Sequence, residues 1–120
     1  MYCYQLDCYE RAIREPHQQY GKEIINCYVH LSLEEAKNAP SFENAKHVYL
    51  RMIKTFEEVL CDDLLSQEWR HHSYRIFKQV KPVLYEVLEK PNYLSMCQRF
   101  ESLATYFIKD KTSQLNNSKG

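Results

Sequence analysis

Apolar residues recur through most of the chain at spacings of three and four, which predicts a series of amphipathic helices. Tyr2, Leu6, Tyr9 and Ile13 make the first stripe. Pro16 ends it, because the residue before a proline is driven out of the α region. The clearest stripe runs through Phe42, Ala45, Val48, Tyr49, Met52, Phe56, Val59 and Leu60. Ser41 stands just before it as an N-cap, and the helix closes near Cys61-Asp62-Asp63. Ser66 is the next N-cap, followed by Trp69, Ser73, Ile76, Phe77, Val80, Leu84, Val87 and Leu88. Pro82 either kinks that helix or begins a new one. Lys90-Pro91 is expected to end it, and Asn92 to cap a last helix with Tyr93, Met96, Phe100, Leu103 and Phe107 inside.

The stretch from Tyr20 to Asn38 reads two ways. Ile24, Cys27, Tyr28 and Leu31 fit a helix face, whereas Val29, Leu31 and Leu33 alternate as a strand would. Ser32-Leu33-Glu34-Glu35 also has the form of a capping box that could start a helix there. Residues 22–33 stay open between helix and strand, with helix preferred, because no second strand is evident for pairing. The expected architecture is all-α: a compact bundle of five or six amphipathic helices. It forms a single domain over residues 1–108, and the polar segment 109–120 is expected to be disordered.

Composition narrows the function classes. Lys plus Arg and Asp plus Glu are 16 each, so the formal net charge is zero. That balance disfavours nucleic acid as a partner. With only 2 glycines, a glycine-rich phosphate cradle has little material to form from. No apolar run is long enough to span a membrane. Five cysteines, Cys3, Cys8, Cys27, Cys61 and Cys97, lack paired spacing, and the N-terminus has no secretory pattern. They are expected to be reduced thiols buried as small apolar side chains, which implies a cytoplasmic location.

Catalytic arrangements are sparse. Glu68 and His71 form one E-x-x-H, and Glu43 precedes His47 by four residues, spacings that place carboxylate and imidazole on one helix face. A second E-x-x-H, required for a di-metal bundle, is missing. Arg11 and His17 form an R-x5-H pattern similar to that of HEPN ribonucleases, with Pro16 breaking the helix that would carry it. Cys61 precedes two aspartates, whose charge would raise its pKa. The chain is therefore expected to be no enzyme, with no catalytic residue, metal or cofactor. The alternative is a small helical nuclease or metal-dependent enzyme using Arg11, His17, Glu68 or His71.

Two features suit recognition of a macromolecule. Ten tyrosines are present, and Tyr2, Tyr4, Tyr9, Tyr20 and Tyr28 crowd the N-terminal part. Their rings with polar tips suit either a partner surface or the outer layer of a small core. Arg70, His71, His72, Arg75, Lys78 and Lys81 form a local basic strip, which could meet an acidic partner, a phosphoinositide surface or an RNA backbone, with a solvated helix face the favoured reading.

Two segments resemble the C-terminal half of regulator-of-G-protein-signalling (RGS) homology domains. Ala45-Lys46-His47-Val48-Tyr49-Leu50-Arg51-Met52-Ile53 is similar to that family's A-K-x-I-Y-x-x-F-I helix. Phe77 through Val87-Leu88-Glu89-Lys90-Pro91-Asn92-Tyr93 is similar to its F-D-x-A-Q-x-x-V-Y-x-L-x-E-x-D-S-Y run. Leu60-Cys61-Asp62-Asp63-Leu64 is similar to its N-x-D loop, and Glu23 to Lys37 overlays its E-N-L-x-F-W helix. The resemblance implies an RGS-like bundle that binds a G-protein α subunit and preorganises the partner's own residues. Glu23-Ile24 stands where the family has Glu-Asn, and Ser95 falls near the family's arginine. The resemblance therefore implies a docking module more than a GTPase accelerator, with Glu23, Asp62, Asp63, Asn92 and Tyr93 as partner-binding residues. A microbial helical regulatory or immunity protein is the remaining expectation.

Overall fold

Every regular element of the described residues is a helix. A computed structural model describes residues 4–15 and 21–108. The elements are α1 (Tyr4–Arg14), α2 (Glu23–Lys37), α3 (Phe42–Cys61), α4 (Gln67–Val87) and α5 (Lys90–Phe107). This is the expected all-α, five-helix class, and the helical reading of residues 22–33 holds. Pro16, His17, Cys3, Tyr2, Tyr20 and the 109–120 tail lie outside the described residues, so the expectations placed on them are not addressed. No described helix is long and apolar enough to cross a membrane. Packing is densest within two units, Met1–Phe56 and Glu57–Gly120, and α3 runs through the division.

In the first unit α1 packs against α2. Leu6 and Ile13 point inward as their spacing predicts, and Glu10, between them on the same face, is buried too. The inner face of α2 is Ile25, Tyr28, Ser32 and Ala36. That is rotated by about one residue from the expected Ile24, Cys27, Tyr28 and Leu31, because small Ser32 and Ala36 let a neighbouring helix approach. Ser32 is buried inside α2 and starts no new helix. The first part of α3 adds Val48, Tyr49, Met52, Ile53 and Phe56 to the buried set. Ser41 caps α3 as expected, its Oγ accepting from the Asn44 N–H at 3.1 Å. Phe42 is a correction: it is 62% exposed, since the stripe begins one turn before the core does.

The second unit is dominated by α4 and α5. Asp62 Oδ1 accepts from the Leu64 N–H at 2.9 Å, which turns the chain after α3. Ser66 then caps α4, accepting from the Trp69 N–H at 3.1 Å. Pro82 lies inside one continuous helix. α4 ends at Val87, with the Leu88 N–H bonded to the Leu84 carbonyl at 2.9 Å. Here the expectation for Lys90-Pro91 and Asn92 is corrected. Pro91 sits in the first turn of α5, where its missing N–H costs nothing, and Glu89 occupies the extended cap position. Asn92 is an exposed residue within that turn.

Leu88 and Glu89 alone separate α4 from α5, so the two helices fold back antiparallel. Phe77 stacks on Phe100 with centroids 3.7 Å apart, both fully buried. Tyr85 meets Tyr93 edge-on at 5.2 Å near the turn, while Gln67 Nε2 donates to the Phe107 carbonyl at the far end. Fully burying one such phenylalanine contributes about 2–3 kcal/mol.

Candidate ligand-binding cleft

A cleft of about 940 Å³ lies in the second unit, beside the N-terminal turn of α4 and the last turns of α5. Asp63, Gln67 and Arg70 form one wall; Gln98, Glu101, Ser102, Thr105, Tyr106 and Phe107 form the other. The antiparallel pairing of α4 with α5 sets this composition, since it brings Gln67 to Phe107 and Tyr74 to Glu101.

Arg70 is the unusual member. It is buried, at 5% exposure, because it shares a helix face with Ser73, Phe77 and Leu84 at helical spacings. A guanidinium carries five N–H donors. Among the described residues only its Nη1 has partners, and both are loose: the Leu60 carbonyl at 3.5 Å and Asp63 Oδ1 at 3.7 Å. Asp63 itself is 84% exposed, so water screens that pair. The Arg70 Nε is fully buried with no hydrogen-bond partner, and so is Gln67 Oε1 in the same wall. Each such orphan costs about 1–3 kcal/mol in a folded protein.

Glu101, the charged residue of the opposite wall, is satisfied. The Tyr74 hydroxyl donates to the Glu101 carboxylate, at 2.8 and 2.7 Å from its two oxygens, and Lys81 Nζ lies 3.4 Å from Glu101 Oε1. Burial, reinforced by this bond to Glu101, pushes the Tyr74 hydroxyl up to about 12. Lys78 Nζ sits 4.7 Å from the centre of the Tyr74 ring. Glu101 is thus already matched by cation and donor, which leaves Arg70 as the poorly matched charge in the cleft. Tyr106 stands 74% exposed at the rim.

The basic strip of α4 divides in space. Arg70 turns inward, Lys81 is half-buried against α5, and His72 is half-buried. His71, Arg75 and Lys78 remain exposed on one face. Of the residues expected to bind a partner, Glu23 is exposed at the start of α2 in the first unit. The other four belong to the second. Asp63 is exposed and Asp62 half-buried in the α3–α4 turn, whereas Asn92 and Tyr93 start α5. Asp63 lies beside the cleft near Phe107, and fifteen residues of helix separate Phe107 from Asn92, about 22 Å. The second unit therefore does not bring the Asp62–Asp63 pair and the Asn92–Tyr93 pair together.

The thiols correct another expectation. Cys8, Cys27, Cys61 and Cys97 are free, but the first three are exposed and Cys97 is half-buried. Each lies on or beside an apolar stripe, and spacing alone does not fix which side of the stripe is covered. Burial first, then repulsion from Glu57, raises the Cys61 thiol pKa, with Asp63 a lesser contributor and Arg99 opposing. The direction is the one expected, with burial as the main cause in place of the two aspartates. Glu68 and His71 are both exposed, and no group of three His, Cys, Asp or Glu able to hold a metal occurs among the described residues.

The first unit has its own polar centre, of opposite character. Glu10 Oε2 accepts from the Tyr28 hydroxyl at 2.7 Å and from Arg51 Nε at 2.7 Å. Tyr28 also lies 3.3 Å from the Thr55 hydroxyl, which bonds back to the Arg51 carbonyl at 3.1 Å. Burial drives the Tyr28 pKa far above the usual tyrosine value, and the Glu10 carboxylate adds to the rise. The bond to Glu10 raises the Arg51 pKa in turn. Tyr28 is therefore a core residue and no part of a partner surface, while Tyr9 is half-buried. A smaller groove of about 490 Å³ between α1 and α2 is lined by Gln5, Tyr9, Asn26, Cys27, His30, Leu31 and Glu34.

Compared with known protein families, curated proteins and solved structures, the chain shows no match.

Proposed function

We propose that the protein is a non-catalytic interaction module that docks another protein. The observation that supports this best is the open α4–α5 cleft, with the under-satisfied Arg70 in its wall and the exposed Tyr106 on its rim. Exposed aromatic rings beside a poorly matched arginine are what protein interfaces bury. Leu64, Tyr85 and Leu94 add further exposed apolar side chains to the same unit. A thiol whose pKa is raised is a poor nucleophile, so Cys61 gives no support to covalent catalysis. Three exposed free thiols favour a reducing compartment, and the cytoplasm is the proposed location.

In its sharper form the partner is a G-protein α subunit, as the RGS resemblance implies, bound without acceleration of GTP hydrolysis. The test is a binding assay of the full chain against α subunits carrying GDP or a GTP analogue. Saturable binding that prefers one nucleotide state supports the sharper form, and absence of binding in both states removes it. Purified protein that cleaves RNA, with activity lost in His71→Ala, would overturn the non-catalytic reading altogether.

A further inference from the structure

Resting on the docking reading, we propose that the α4–α5 cleft is a carboxylate-binding site, in which Arg70 takes a carboxylate presented by the partner protein. Three observations converge on it. Arg70 is a fixed charge, almost wholly buried, that lines the cleft with one nitrogen loosely bound and Nε unpartnered. A planar guanidinium fork pairs best with a planar oxyanion that can accept two N–H bonds at once. Asp63 shows which group suits it: a carboxylate already approaches, at 3.7 Å, too far for a good bond and from an exposed turn.

The surroundings choose between anions. Asp63 and Glu101 both line the cleft, and Lys81 offsets Glu101. A carboxylate brings one negative charge beside Asp63 and Glu101 where a phosphate dianion brings two, so it meets less repulsion. Elsewhere in the cleft lining, Gln98, Ser102 and Thr105 offer hydrogen bonds, while Tyr106 and Phe107 offer apolar area. That mixture fits the side chain or terminus of a polypeptide. Docking exchanges a loose, water-screened pair for a close one, so binding relieves a cost that folding alone leaves in place.

The direct test follows the Arg70 Nε–Hε resonance of the full chain by NMR during titration with defined probes. N-acetylphenylalanine supplies a terminal carboxylate, N-acetylglutamic acid α-amide a side-chain carboxylate, and N-acetylphenylalanine amide the neutral control. Inorganic phosphate is the fourth probe. Saturable movement with one or both carboxylates, none with the neutral amide and weaker movement with phosphate is the expected result; the stronger carboxylate identifies the source. Asp63→Ala, at an exposed position, removes the internal competitor and is expected to tighten carboxylate binding about threefold. Binding unchanged in Arg70→Met, measured by calorimetry, would overturn the proposal. So would equal movement with the neutral amide, tighter binding of phosphate, or weaker carboxylate binding in Asp63→Ala. Failure of both carboxylates in a folded chain overturns the cleft's role alone. The docking reading is scored separately, by whole-protein binding.

Discussion

The two units each hold an arginine in their polar interior, and the chain treats them differently. In the first, Arg51 binds Glu10 at 2.7 Å, and the Tyr28 hydroxyl donates to the same carboxylate at 2.7 Å. In the second, Arg70 is more deeply buried yet has partners only at 3.5 and 3.7 Å. Close bonds from Tyr28 and Arg51 to one buried carboxylate tie α1, α2 and α3 together. A half-satisfied network destabilises the fold, and such a cost marks a candidate site. The contrast underlies the proposal that the first centre is structural and the second serves recognition. The core of the second unit rests on apolar contact, centred on the Phe77–Phe100 stack.

The largest effect expected from this contrast is that of Glu10→Ala. It strands the Tyr28 hydroxyl and Arg51 together and should cost about 3 kcal/mol, read as a lower midpoint in urea unfolding. A loss below about 1 kcal/mol would show that the network is incidental. Tyr28→Phe comes next, at about 1 kcal/mol, because Glu10 keeps Arg51. It also carries a pH signature. The native hydroxyl keeps its proton well above 10, while the unfolded chain ionises near 10. Stability tied to Tyr28 is therefore fully present below pH 10 and falls as pH rises beyond it. Unfolding curves collected above pH 10 should decline less steeply for Tyr28→Phe than for the unaltered chain.

Much of the fold was legible in the hydrophobic spacing, and the reasons differ by element. The caps Ser41 and Ser66 were readable because a hydroxyl before an apolar run has one economical use there. The α4–α5 turn was misread at Lys90-Pro91, since proline stops one helix and starts another by the same geometry. The site was hardly legible at all. Arg70 looked like a member of a basic strip beside His71 and His72, yet it falls on the face of Ser73, Phe77 and Leu84. That register was available in the spacing and would have marked Arg70 as buried. Gln67, Glu101, Ser102 and Thr105 could not have been singled out, because only the antiparallel return of α5 brings them beside α4. Buried Glu10 was hidden for a related reason: its partners Tyr28 and Arg51 lie 18 and 41 residues away.

The smallest expected effect on stability is the most informative. Arg70→Met keeps an unbranched apolar stem and removes an under-satisfied buried charge. Replacing such a group with an apolar one is often neutral or stabilising. Urea unfolding of Arg70→Met, run beside the unaltered chain, therefore tests most directly whether this arginine serves binding or folding. Stability equal to that of the unaltered chain or higher, within about 1 kcal/mol, is the predicted result. A loss of about 3 kcal/mol, matching that of Glu10→Ala, would make Arg70 a structural residue and contradict the account.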